Sequence, residues 1–139
     1  MKRFFDESWV AKTILFPGYV AITLGPVAFS KKVFSQKVKN HECTHMRQWT
    51  EWTVLSAFIL IILSAIFNFN PEFVLLSGLA FYVLYILEWF IRLFKFGGDA
   101  YRNISFEREA YDNEYDNSYN TNSGYFASFK YMNKKSLKY

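Results

Sequence analysis

The apolar and polar positions of this chain fall into three textures. Up to Ser30 the apolar runs are short and punctuated: Thr13–Phe16 stops at Pro17-Gly18, Tyr19–Leu24 at Gly25-Pro26, and Val27–Phe29 follows. β-branched and aromatic residues between such breaks predict two or three short strands over 13–30. An amphipathic lead-in with Phe4, Phe5 and Trp9 precedes them. Pro26 suits an edge strand or a bulge, where no ladder donor is needed.

From Ser35 the pattern becomes helical. Ser35 and Asn40 are both acceptable N-caps, and the predicted helix runs over 35–67. Its second half, Val54–Phe67, has no charge in fourteen residues. Asn68-Phe69-Asn70-Pro71 is a turn cluster, and 73–94 reads as a second apolar helix closed by Gly97-Gly98. Ser105 is the expected N-cap of a further helix over 105–117, with acids in its first turn as the helix dipole prefers. Residues 118–139 read as a polar, then basic, tail. Within it Phe126–Met132 has the pattern of a short amphipathic helix. The fold class expected is α+β, mainly α: a single domain with a short N-terminal β-hairpin.

Composition sharpens one point. Apolar residues are 52% of the 139 and aromatics 22%, high for a soluble domain of this size. Both apolar stretches are apolar all round, which means burial in protein or in lipid. Each uncharged run spans some 21–23 Å at about 1.5 Å per residue, and flanking aromatics would extend it toward a ~30 Å hydrocarbon core. Residues 68–71 contain no Lys or Arg, whereas 31–47 and 92–138 hold most of the basic charge. The positive-inside rule then places both ends of the hairpin, and any site near them, on the cytoplasmic side. Glu88 and Arg92, at i and i+4, can pair near that boundary. The alternative is a helical hairpin buried in a soluble domain. The tail lysines Lys134, Lys135 and Lys138 suit either an anionic membrane surface or an ordinary solvated terminus.

The formal charge of +4 is dispersed and gives no case for nucleic acid. One cysteine excludes an internal disulfide framework, and no secretory leader is expected, because Asp6 and Glu7 interrupt the basic start.

The chemistry concentrates at His41-Glu42-Cys43-Thr44-His45, which contains both histidines of the chain. On a helix, i and i+4 share a face, so the two imidazoles can reach one metal ion, and neutral imidazole suits Zn²⁺. Glu42 stands where a carboxylate can take a proton from an attacking water and deliver it to a leaving amine. Cys43 at i+2 points away and reads as an inert packed side chain. Gln48 shares the ligand face, where it is either a hydrogen-bond partner of a ligand or, as is commoner, solvated. A third ligand on a separate downstream helix would complete a His-His-Glu site. Glu107 and Glu109 are candidates, and because they point in different directions only one binds. An edge strand in 19–29 beside such a helix either pairs with an extended substrate backbone or is a plain structural hairpin.

His41–Gln48, an apolar insert, and Tyr101–Tyr111 with Phe106-Glu107-Arg108-Glu109-Ala110-Tyr111 together resemble a family of small bacterial proteins. These carry H-E-x-x-H-x-x-Q followed by an F-E-R-E-A-Y box. The pair of motifs is also similar to zincin metallopeptidases of the gluzincin type, whose third ligand is the Glu of an E-x-x-A-D-like box. The resemblance makes Glu107 the third zinc ligand, with Glu107 and Ala110 on the box. Tyr111 stands where those membrane-associated peptidases have an Asp that orients a histidine, and Glu109 or Asp112 are the substitutes at hand. Tyr101 and Tyr111 are candidate oxyanion donors.

The function expected is a membrane-associated zinc metallopeptidase: His41, His45 and Glu107 on the metal, Glu42 as the base, a peptide or protein as substrate. The alternative is a non-catalytic membrane-anchored scaffold, or an interaction protein, that retains a zincin-like metal site.

Overall fold

The fold was analysed in a computed structural model that describes residues 3–132. Three strands form one small sheet in the order β1-β3-β2, from β1 (Phe4–Phe5), β2 (Ala21–Leu24) and β3 (Val27–Ser30). β1 runs parallel to β3, and β2 pairs antiparallel with β3 from Ala21↔Ser30 to Leu24↔Val27. β2 therefore has one unpaired edge. The hairpin turns at Gly25-Pro26, so Pro26 lies in the turn rather than within an edge strand or bulge. Gly25 has φ +62°, a left-handed conformation costly for residues with a Cβ.

The strand expectation fails at Thr13–Phe16. Thr13 and Ile14 end a helix, α1 (Trp9–Ile14), whose N-cap Ser8 accepts from the Val10 N–H at 3.2 Å. Leu15 and Phe16 continue as loop, their carbonyls accepting from Lys31 Nζ at 2.8 and 3.0 Å. Phe4–Phe5 supplies the third strand instead.

Ser35 caps α2 (Gln36–Phe67), its side chain accepting from the Val38 N–H at 3.3 Å. α2 ends at Asn68, which adopts the left-handed conformation (φ 54°) that stops a helix. The second apolar segment is not uniform: Pro71–Leu79 is 3-10 helix, and only Ala80–Phe96 is α-helix (α3). The 3-10 segment lies along α2, with Trp49 Nε1 donating to the Gly78 carbonyl (2.8 Å) and Ser56 Oγ to that of Ser77 (3.1 Å).

α4 spans Ser105–Asn113, shorter than expected. Ser105 is its first residue rather than its cap. The backbone N–H and Oγ of Ser105 donate to the two Glu88 oxygens, at 2.9 and 2.6 Å, so a carboxylate on α3 caps α4. Arg92 donates to the same carboxylate at 2.9 Å, as the i,i+4 spacing suggested. The polar stretch that follows holds one helical turn, α5 (Tyr119–Asn122), and a 3-10 turn at Ala127–Tyr131 that buries Ala127, Ser128 and Tyr131. Lys134, Lys135 and Lys138 lie outside the described residues.

Two small apolar cores flank α2. Ala28, Phe34 and Met46 pack on the sheet side; Phe81, Ile104 and Phe106 pack on the other, with Trp49 and Trp52 against them. The hairpin lies beyond both. Two helical segments, Gln36–Phe67 and Pro71–Asp99, are long and apolar enough to cross a membrane. Only 6% and 11% of their most apolar windows are buried by the described residues, far less than for a helix at the core of a protein.

Candidate metal centre

α2 enters the protein interior with its first four turns, and α4 packs across them. This brings His41, His45 and Glu107 together, all three buried. The two Nε2 atoms are 3.1 Å apart. Glu107 places Oε2 at 3.4 Å from His41 Nε2 and Oε1 at 3.2 Å from His45 Nε2. A tetrahedral site with bonds of about 2.0–2.1 Å has ligand–ligand edges of roughly 3.3–3.4 Å. The separations of 3.1–3.4 Å are close to such an edge, with each Glu107 oxygen facing a different imidazole. Glu107 Oε2 is also buried without any hydrogen-bond partner, a costly arrangement that a bound cation would relieve. The three residues could hold a metal ion.

Each ligand is held from behind. His45 Nδ1 lies 2.9 Å from Gln48 Oε1, an acceptor, which puts the proton on Nδ1 and leaves Nε2 bare for a cation. Gln48 is fully buried, not solvated, and its amide donates to the Phe106 carbonyl (3.1 Å) and Glu109 Oε2 (2.9 Å). His41 Nδ1 faces Glu114 Oε2 at 3.6 Å, and its ring meets Tyr111 edge-on at 4.6 Å. Glu107 Oε1 accepts from Tyr85 (2.6 Å) and Tyr101 (2.9 Å).

Glu109 is fully buried and touches neither histidine. It accepts from Arg47, from Gln48 and from Tyr119 (2.9 Å), and so acts on His45 through Gln48. Asp112 is exposed. The carboxylate that faces a ligand histidine is Glu114, one helical turn past Tyr111. Tyr101 spends its hydroxyl proton on Glu107, and Tyr111 contributes a ring contact. Burial, with Glu107 second, pushes both phenols above their ordinary value, so both remain donors.

Burial works against a charged Glu107, but His45 and His41 outweigh it and hold the carboxyl well below its usual range. Glu114 is also lowered: the hydrogen bonds from His41 and Lys37 exceed the penalty of burial.

Glu42 is buried next to the ligands, with Thr23 Oγ1 donating to its Oε2 at 2.7 Å. Thr23 belongs to β2, so the edge strand is tied to Glu42. Cys43 is half-buried on another face of α2. The ligands and Glu42 open on a cleft of ≈ 380 Å³ walled by Leu15, Phe16, Ile22, Leu24, Phe81 and Tyr82.

Comparison with protein-family models, with curated proteins and with solved structures gave no match for this chain.

Proposed function

We propose that the protein is a membrane-anchored zinc metallopeptidase. The observation that carries this reading is the buried cluster of His41, His45 and Glu107, with Glu107 Oε2 lacking a hydrogen-bond partner and Glu42 buried beside it. Two neutral imidazoles and a carboxylate are a donor set that suits Zn²⁺ and leaves a coordination position open. Bound there, zinc would supply Lewis-acid charge to polarise a peptide carbonyl and to acidify water.

The chain's own groups do the rest. Glu42 takes a proton from the water that attacks the carbonyl carbon, and passes it to the departing amine nitrogen as the C–N bond breaks. The hydroxyl stays on the acyl product, so one water is consumed per bond. Thr23 holds Glu42 Oε2 and leaves Oε1 for the proton. Gln48 and Glu114 orient the histidines. Tyr85 and Tyr101 keep Glu107 anionic and aimed. The unpaired edge of β2 can align an extended substrate backbone.

The anchor is the apolar hairpin. Its spanning part begins near Thr53, where α2 leaves the packed interior. The basic residues at its two ends support a cytoplasmic location for those ends.

The test is hydrolysis of a quenched-fluorescent casein and a mixed peptide library by zinc-loaded protein in vesicles. Glu42→Gln is expected to lower turnover at least 100-fold while zinc per chain stays unchanged. Equal turnover by wild type and Glu42→Gln would overturn the assignment. A wild type that binds zinc and hydrolyses nothing would leave a metal-stapled scaffold, in which the ion joins α2 to α4.

A further inference from the structure

The walls of the cleft beside Glu42 carry information about what it can hold. Apart from His41, Glu42, His45 and Glu107, no acidic or basic side chain of the described residues lines it. The polar side chains on its walls are already engaged. Thr23 donates to Glu42 at 2.7 Å, and Tyr85 and Tyr101 donate to Glu107 at 2.6 and 2.9 Å. Tyr82 accepts from the Gly25 N–H at 2.6 Å, and Tyr19 sets its ring edge-on to that of Tyr101. The rest of the lining, with Leu15, Phe16, Ile22, Leu24 and Phe81, is apolar. A charged or amide side chain entering here gives up water for no new partner, whereas a large apolar one leaves water at a gain.

The walls are also tied in place. Lys31 donates to the Leu15 and Phe16 carbonyls at 2.8 and 3.0 Å, which joins the loop after α1 to the end of β3. The bond from Gly25 to Tyr82 joins the β2–β3 turn to α3. The cleft is therefore formed before a substrate arrives. At ≈ 380 Å³ it lies near the lower end of the roughly 300–1,000 Å³ of ligand sites, so it admits a stretch of extended chain and not a folded domain. All four residues of β2 line it, and β2 pairs only with β3 among the described strands. A peptide laid on the free edge of β2 passes Thr23, which touches Glu42, and its side chains there meet Ile22, Leu24 and Phe81.

On the peptidase reading above, we propose that the cleft selects an extended, uncharged peptide by a large aliphatic or aromatic side chain held next to Glu42. The probes are the peptides dansyl-Ala-Ala-X-Ala-Ala-amide, with X as Leu, Phe, Ala, Asn, Glu or Lys. Their binding to full-length, zinc-loaded Glu42→Gln protein in phosphatidylcholine vesicles is followed by fluorescence anisotropy, with protein-free vesicles as the blank. The Leu and Phe peptides are expected to bind roughly 10–100-fold more tightly than the other four. Leu24→Ala and Phe16→Ser, each added to Glu42→Gln, should weaken the Leu and Phe peptides several-fold and leave the Ala peptide unchanged. Phe16 is 78% exposed, so its truncation opens no core cavity and decides the matter if Leu24→Ala does not fold.

Equal affinity for all six peptides, tighter binding of the Asn, Glu or Lys peptide, or no saturable binding overturns the proposal. So does an equal loss for every peptide in the Phe16→Ser protein. Turnover of the same peptides by wild type separates this from the peptidase reading. Hydrolysis of all six at one rate keeps the peptidase and overturns the selection. Preferential binding of the Leu and Phe peptides with no hydrolysis supports the selection and counts against the peptidase alone.

Discussion

Gln48 offers the most searching perturbation, because one side chain connects a metal ligand to the charge network behind it. Gln48→Leu nearly preserves volume and removes three contacts: the acceptor for His45 Nδ1, the donor to the Phe106 carbonyl and the donor to Glu109 Oε2. Loss of a partner that orients a ligand histidine costs on the order of 10–100-fold in metal affinity, about 1.4–2.7 kcal/mol. Each buried polar group left unpaired costs about 1–3 kcal/mol of stability. Glu109 keeps Arg47 and Tyr119 on its other oxygen, so the sum should be nearer ~2–5 kcal/mol than three full penalties. Gln48→Glu provides the contrast. It restores an acceptor for His45 and sets a second carboxylate against Glu109 at the 2.9 Å contact. Zinc affinity, measured by chelator competition, should then fall in the Leu variant and hold in the Glu variant, while both lose thermal stability. A Leu variant that binds zinc like the wild type would refute the assigned role of Gln48.

Zinc loading should release protons: burial works against a charged His41, but Glu107 and Glu114 outweigh it and raise its pKa to about 10 in the metal-free protein, whereas a zinc ligand must be neutral; calorimetry in buffers of different ionisation enthalpy should show that release, and none would contradict the ligand assignment. Metal-free protein should lose stability in acid. Glu107 and Glu114 are both held below 4.5, so their contribution is complete above about pH 4.5 and drains as pH falls through their lowered values. Melting curves from pH 7 to 3 should show the decline, and Glu107→Gln should flatten it. Gly25→Ala forces a Cβ into the left-handed region 3.4 Å from the Trp49 ring, at a cost of about 1–2 kcal/mol or more. An unchanged melting point would contradict the turn geometry.

Much of the site was legible because its signals are local. Four-residue spacing sets two histidines on one face, and Ser35 marks the start of α2 by its own chemistry. The partners that tune the site carry no such mark. Thr23 reaches Glu42 across 19 positions and Tyr85 reaches Glu107 across 22, and either residue would look ordinary in its own element. Glu114 lies beyond the F-E-R-E-A-Y box and meets His41 only because α4 crosses α2. Gln48 was identified on the correct face, but its burial depends on α4 closing over it. Thr13–Phe16 was misread for another reason. Its apolar composition suits a strand, yet Thr13 and Ile14 complete the helix that Ser8 caps at the Val10 N–H. The second apolar segment splits into 3-10 and α-helix, and its contacts with Trp49 and Ser56 are tertiary ones that composition does not encode.

In the proposed centre His41, His45 and Glu107 hold one zinc ion. Bound zinc per chain, measured on wild type and Glu107→Ala purified in metal-free buffers and then reloaded, tests it directly. Close to one ion is expected in the wild type and sharply weakened binding in the variant, with His41→Ala behaving alike. A wild type that takes up no zinc after reloading, or a Glu107→Ala protein that binds it equally well, would contradict the account.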